Sequence, residues 1–396
     1  MSLDLSAVIK QIGEMVTQLK SGRAQLLSKI SLATDTLRTQ SADIDKLKKK
    51  TVLSQTTWLV AEPIEQMDNV YLLSPKPSEF NVLATDGSHI DVDRNQAAHC
   101  YLINISSIML KYGKQPDAIL TNEPTVYSTD EDLVLTSPDG IREVPVEGNL
   151  LGIKRSVEEC RKLAELAAGL PEKSQSLGLI DGTLILWNLE GYPDFVSKIL
   201  LEEQYLIYLD AMRQLNQNRQ FALASYISYP RSTDVINALR VGLCPRDHVD
   251  SDKCVACTTR ECHRIAGIHD RELFSRLLKP SERSALFISP SKIQKHYGHH
   301  LVYFYYVKLE NEVARVEIPQ WVARDKGLLD VSHSLIVDQC RRGHGYPVAL
   351  SEAHEKAVVT GADRDNFWQL VEASMVGEHL SNEGSAKSWS KRTRWI

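Results

Sequence analysis

The sequence predicts an α/β fold, a mixed sheet flanked by helices, and three observations carry that prediction. Short apolar runs at Val82-Leu83-Ala84, Leu177-Gly178-Leu179-Ile180 and Phe221–Ile227 read as buried strands too short to be helices. Helix-spaced segments at Gly152–Ala168 and Leu200–Leu215 alternate with them. Further β-prone runs follow at Leu301–Leu309 and Val313–Ile318, so helix and strand alternate around one sheet, as layered folds require. With 396 residues and 43% hydrophobic content, the chain can bury a sizeable core as one large domain with additions or as two domains.

Residues 1–74 read as an N-terminal helical arm. Leu5, Val8, Ile9, Ile12, Val16 and Leu19, then Leu26, Leu27, Ile30, Leu37, Ile44 and Leu47, recur at helical spacing, with Gly22 and the Ser/Thr-containing stretch 31–41 as expected breaks. Lys46, Lys48, Lys49 and Lys50 close the arm, either as a solvated helix end favoured by the helix dipole or as a nucleic-acid contact. Pro75-Lys76-Pro77-Ser78 then marks the start of a main domain over 75–380. In it the strand at Val82 is expected to stop at Gly87, leaving Asp86 where the backbone leaves the sheet. Ala97–Ile105 suits the next strand of a meander, and 113–150 reads as loop and edge strand. In Gly152–Ala168, Ile153, Val157, Cys160, Ala164 and Ala167 share one face, while Arg155, Glu158 and Glu159 ride on the same helix.

A cysteine-containing insertion occupies about 242–265. Cys254-Val255-Ala256-Cys257 is a C-x2-C pair with Cys244 before it and Cys262 after it. Four soft ligands suit a tetrahedral zinc site or an iron–sulfur cluster; otherwise the segment is a loop whose thiols bind nothing. Glu310-Asn311-Glu312 reads as a hairpin turn, Asp325–Cys340 as a helix, and Ser351 as the cap of a helix that carries His354. The tail over 381–396 interleaves Lys387, Lys391, Arg392 and Arg394 with Trp389 and Trp395, which suits base stacking and phosphate contact, or a disordered or partner-docked end.

Composition narrows the function classes. No run of eighteen apolar residues occurs, so no membrane span is expected, and the start lacks the pattern of a secretory signal, so a cytoplasmic protein is expected. In that compartment its seven cysteines are expected to be free, metal-bound or buried rather than disulfide-paired. A net charge of -5 does not advertise nucleic acid, although a local basic groove is compatible with it. The chemistry-bearing pattern is strand, aspartate, glycine, met twice: at Asp86-Gly87 and at Asp181-Gly182. Two strands each delivering an aspartate supply the hard oxygen ligands, on rigid elements, that a divalent metal site needs.

Asp86-Gly87-Ser88, a glutamate on the 152–168 helix, Asp181-Gly182-Thr183-Leu184, the turn Ser228-Tyr229-Pro230-Arg231-Ser232, and Tyr346 followed by His354 occur in one order. In that order the chain resembles the NurA family of nucleases from about Asn81 to Phe367. Gly345-Tyr346-Pro347, Glu352-Ala353-His354 and Ala357-Val358-Val359 are its most family-like stretch, with support from Arg315–Trp321. The resemblance implies an RNase H-like mixed sheet and a nuclease domain over 75–380. It also implies manganese- or magnesium-dependent hydrolysis of DNA, as a 5'-3' exonuclease, a single-strand endonuclease or both. Its setting would be DNA end processing and repair, as a homodimer beneath a HerA-type hexameric translocase.

Carried over by position, Asp86 would be the carboxylate shared between two metals and Asp181 the second-strand ligand. Glu159 would be the third, four residues after Arg155, with Glu158 as the open alternative. His354 would ligate metal or orient water, Tyr346 would contact the scissile phosphate, and Ser88 and Arg231 would bind phosphate. Two residues depart from the family pattern. His89 stands where many relatives carry arginine, which implies a weaker, pH-dependent phosphate contact. Arg231 stands near where relatives often show lysine, and its guanidinium can grip phosphate in a bidentate manner. Two alternative functions remain: a non-catalytic DNA-end or translocase adaptor on the same fold, or a protein whose four-cysteine cluster is its main functional centre.

Overall fold

The computed structural model describes residues 4–378 except Arg94, Asn95, Ala97 and Pro290, so the basic and aromatic tail from 381 lies outside the described residues. In chain order the main elements begin with helices α1 (Leu5–Ser41) and α2 (Ile44–Val52). Strands β1 (Phe80–Ile90), β2 (Tyr101–Tyr112) and β3 (Asp117–Tyr127) follow, then α3 (Asn149–Ala168), β4 (Gln175–Asp181), α4 (Leu206–Gln214) and β5 (Gln220–Ile227). Next come α5 (Asp234–Leu243), α6 (Asp270–Leu277), β6 (Val302–Lys308) and β7 (Val313–Pro319). Helices α7 (Lys326–Arg342), α8 (Val348–Ala357) and α9 (Gly361–Gly377) complete the set. The chain forms two compact units: one from the residues up to Leu73, Ile227–Ser291 and Tyr303–Val316, the other from Ser74–Tyr226, Lys292–Val302 and the residues from Glu317 on.

In the first unit α1 runs unbroken through Gly22. A glycine in an exposed helix costs only about 1 kcal/mol, too little to interrupt a 37-residue ladder whose start is capped by the Asp4 carboxylate. The break falls instead at Ala42–Asp43. The C-terminal half of α1 buries Ala33 and Leu37 in a core with Val235 and Leu239 of α5, Phe274 of α6, Phe287, Phe304 and Tyr306. Asp270, buried at the start of α6, accepts from the Val235 and Ile236 amides at 3.1 and 2.9 Å and so satisfies the first turn of α5. Two of the lysines that close the arm are tethers: the Nζ of Lys48 donates to the Ile64 carbonyl at 2.9 Å, and that of Lys50 to the Cys244 carbonyl.

The second unit is built on a mixed sheet in the order β3-β2-β1-β4-β5. β1, β2 and β3 are antiparallel, and β4 and β5 continue parallel to β1, giving the expected RNase H-like sheet. β3 is an exposed edge strand, whereas β1, β4 and β5 are near-continuously buried, as parallel central strands covered by helices must be. α3 lays Val157, Cys160, Leu163 and Ala167 into the core with Leu83, Leu223 and Phe221. The helix that carries His354 starts at Val348, capped by Pro347, so Ser351 lies inside it rather than at its cap. Pro347 brings the fixed φ that suits a helix start, which displaces the boundary toward it.

Candidate active site

The strand register places the two aspartates side by side. β1 and β4 pair in parallel up to Thr85 opposite Ile180, and Asp86 and Asp181 are the next residues on each. Neighbouring strands lie about 4.8 Å apart, so both carboxylates leave the sheet at one point. The reason differs for the two. β4 ends at Asp181, where the Gly182 amide turns away to the Tyr226 carbonyl at 3.0 Å. β1 does not stop at Gly87; it continues to Ile90, paired with β2 throughout, Gly87 opposite Ile105.

Gly87 is a clearance rather than a turn. A Cβ there would lie 2.8 Å from Glu159 Oε1, 2.8 Å from Ile105 Cδ1 and 3.0 Å from Arg155 Cγ. Any side chain there would have to push aside the Glu159 carboxylate, the tip of Ile105 or the stem of Arg155. Gly87→Ala is therefore expected to destabilise the protein by about 1–3 kcal/mol, the usual cost of overpacking, and to displace Glu159. A thermal melt unchanged from wild type would refute the clearance argument.

Glu159 is 5% exposed, and its backbone carbonyl accepts from Thr85 Oγ1 at 3.0 Å, which fixes this turn of α3 against β1. Its Oε1 lies 3.0 Å from Arg155 Nε, one helical turn away, although neither atom makes a hydrogen bond. Burial pushes the Glu159 carboxyl up to about 8; Arg155 pulls it down, while Asp86 and Asp181 push it further up. Burial likewise raises Asp181, against the hydrogen bond from Tyr346 and with the charge of Asp86. Glu158 points elsewhere: its Oε2 accepts from Arg161 Nε at 2.7 Å. Geometry thus brings Glu159, not Glu158, to the two aspartates.

Tyr346 and His354 come from the other side. Gly343 begins the turn after α7 in a space where a Cβ would sit 2.0 Å from the Tyr346 carbonyl oxygen, so glycine is required there. The turn delivers the Tyr346 hydroxyl, which donates to Asp181 Oδ1 at 2.9 Å, while its ring packs edge-on against Tyr226. Burial and the Asp181 charge raise the phenol far above its ordinary value, so it stays a donor. His354 Nδ1 lies 2.8 Å from Asp86 Oδ2, and its ring is 69% exposed. α8, which carries it, is clamped to the sheet through its last carbonyls. Ser106 Oγ donates to Ala353 at 2.6 Å, Asn104 Nδ2 donates to Ala357 at 3.0 Å, and Ser88 Oγ also donates to Ala357.

The Ser88 hydroxyl is occupied by that helix carbonyl. His89 is half-buried with an unpartnered Nδ1, and burial together with Arg155 lowers its pKa, which favours the neutral ring. Arg231 is an exposed residue of the first unit, in a turn where Tyr229 takes φ +46°. Within that unit Cys244, Cys254, Cys257 and Cys262 line one small cavity. Among the described residues no group of three or more His, Cys, Asp or Glu side chains is arranged, as it stands, to hold a metal ion. Two supporting residues had no role assigned from sequence. Among the described residues Arg155 is the one cation paired with Glu159, and the buried Glu317 carboxylate accepts from Thr183 Oγ1 at 2.7 Å and the Leu184 amide at 3.0 Å, pinning the loop after Asp181. Glu317 lies in the Arg315–Trp321 stretch, whose apolar alternation around one acidic residue was the available signal.

A family model described as the NurA domain matches residues 80–359. Among solved structures the chain is similar to the crystal structure of the NurA nuclease from Sulfolobus solfataricus, at 12% identity with a TM-score of 0.48, over 96% of this chain and 98% of that one. It is also similar to the crystal structure of LC9-RNase H1, a type 1 RNase H with the type 2 active-site motif, at 9% identity with a TM-score of 0.21, over 48% of this chain and 87% of that one. No curated protein sequence matches significantly.

Proposed function

Since this chain belongs to the NurA domain family, we propose that it is a divalent-metal-dependent DNA nuclease whose site is formed by Asp86, Glu159, Asp181, Tyr346 and His354. The observation that carries the reading is the crowding of three carboxylates where β1 and β4 part, with Arg155 as the one cation paired to Glu159 among the described residues. Such a cluster is electrostatically costly by itself and suits a hard divalent ion. The donor set fits: all three are carboxylates, and the buried Oε1 of Glu159 lacks a hydrogen bond. Asp86, Glu159 and Asp181 would hold manganese or magnesium, which when bound supplies charge neutralisation for the attacked phosphodiester and a more acidic water.

The remaining chemistry belongs to the side chains. Tyr346, held protonated, orients Asp181 through its hydroxyl and presents that same hydroxyl edge to a phosphate oxygen. His354, tied to Asp86 through Nδ1 and exposed to solvent, is suited to carry a proton at Nε2 between the site and bulk water. The test is degradation of end-labelled single- and double-stranded DNA in manganese or magnesium against EDTA. Metal-dependent cleavage is expected; folded protein that cleaves neither substrate in either metal would sink the reading and leave a DNA-end or translocase adaptor.

The family resemblance also supports action in DNA end processing beside a HerA-type translocase, and a homodimer. For the dimer there is a separate physical support. Leu5, Ile9, Ile12, Val16 and Leu19 follow a four-three spacing along α1 and are 39–69% exposed, the pattern of a coiled-coil seam. Ile9→Glu with Ile12→Glu is expected to convert a dimer to a monomer in size-exclusion chromatography with light scattering. An unchanged mass would remove α1 from the dimer contact. No helix among the described residues is long and apolar enough to cross a membrane.

A further inference from the structure

We propose that Cys244, Cys254, Cys257 and Cys262 bind one zinc ion, which fixes the 244–262 segment of the first unit. The site stands apart from the nuclease reading and does not rest on it. Three lines of geometry and chemistry point to it. All four thiols line a single cavity of about 20 Å³, although they come from three separate pieces of chain. Cys244 ends helix α5, Cys254 and Cys257 bracket a turn closed by the Cys257 amide on the Cys254 carbonyl at 3.1 Å, and Cys262 follows in a 3-10 turn. Each of the four is partly accessible, whereas Cys100, Cys160 and Cys340 are buried.

The donor set suits zinc: four cysteines, two of them in a C-x2-C pair, match a closed tetrahedral tetrathiolate site that holds one redox-inert ion. Four thiolates around one zinc carry a net charge of about minus two; Arg246 and Arg260 line the same cavity, as do Asp250 and Glu261, with Lys253 paired to Asp250 at 2.9 Å. As they stand the thiols are not arranged to coordinate, so binding requires their side chains to rotate inward, with loss of four protons.

The segment also needs such a staple. From Asp250 to Arg264 no residue is buried, and its regular structure is limited to short 3-10 turns at Ser251–Ala256 and Glu261–Ile265. Arg260, between the second and third pieces, takes a left-handed φ of +47°, which a chain without a local core has little means of holding. Metal binding supplies the stabilisation that apolar burial does not.

The test is elemental analysis of the full-length protein purified in reducing, chelator-free buffer. One zinc per chain is expected, retained in Asp86→Asn and lost in the Cys254→Ser, Cys257→Ser double variant. Should that variant fail to fold, wild type answers alone: a mercurial thiol reagent should release one zinc. Exchange into cobalt should likewise give the visible bands of a tetrahedral tetrathiolate. Substoichiometric zinc with four thiols freely reactive in the native protein overturns the proposal. So do stoichiometric iron with visible absorbance, a mass deficit marking disulfides among these cysteines, or zinc that survives in a folded double variant.

Discussion

Asp86→Asn is expected to lower metal-dependent DNA cleavage by roughly 10²–10³-fold or more while leaving the thermal melt unchanged, the scale seen when one electrostatic contributor to a transition state is removed. The size follows from position. Asp86 is the residue at which β1 leaves its pairing with β4, and it faces both Asp181 and His354. The amide is the same shape, can still accept from the Gly87 amide that now bonds Oδ1 at 2.8 Å, and can still meet His354 in one tautomer. What it loses is the negative charge. End-labelled DNA assays beside circular dichroism melts check both halves; full cleavage by the folded variant would remove Asp86 from the site.

Glu159→Gln is expected to abolish cleavage and, in metal-free buffer at pH 8, to raise the melting temperature. Burial holds the Glu159 carboxyl up at about 8, against about 4.3 in an unfolded chain. Between those values the folded protein keeps a proton that the unfolded chain releases, so folding stability is fully present below about pH 4.3 and falls as pH rises toward 8. Above that the fold must carry a buried charge beside Asp86 and Asp181, with Arg155 in partial compensation. Glutamine removes this slope. At about 2–4 °C per kcal/mol for a unit of this size, a gain of several degrees at pH 8 and little at pH 5 is the signature in a differential scan with EDTA. Manganese should stabilise wild type at pH 8 more than the variant. A variant that melts below wild type at pH 8 would refute the burial argument.

Local and non-local information divide in this chain. Strand and helix existence follows from apolar periodicity, which is a property of neighbouring residues; the runs at 82–84, 177–180 and 221–227 and the helix from 152 lie inside β1, β4, β5 and α3. The boundaries resisted. Gly87 reads as a stop because Asp-Gly is common turn chemistry, yet it lies inside β1 because α3 packs on it from sixty and more residues away. Gly22 reads as a break because its own propensity is low, yet the ladder of a long helix outweighs one residue.

The same division governs the site. The sequence by itself determined which residue types were available: two aspartates each followed by glycine after an apolar run, two adjacent glutamates on one helix, a tyrosine and a histidine near the end, and four cysteines in one segment. Only the tertiary structure decided among them. Adjacent helix residues differ by about 100° in direction, so whether Glu158 or Glu159 faces Asp86 depends on how α3 is rotated against β1, which Thr85 and Gly87 set. Spacing along the chain likewise says nothing of the cavity into which Cys244, Cys254, Cys257 and Cys262 converge. Residue chemistry is local to the chain, whereas direction and proximity are fixed by packing between distant segments.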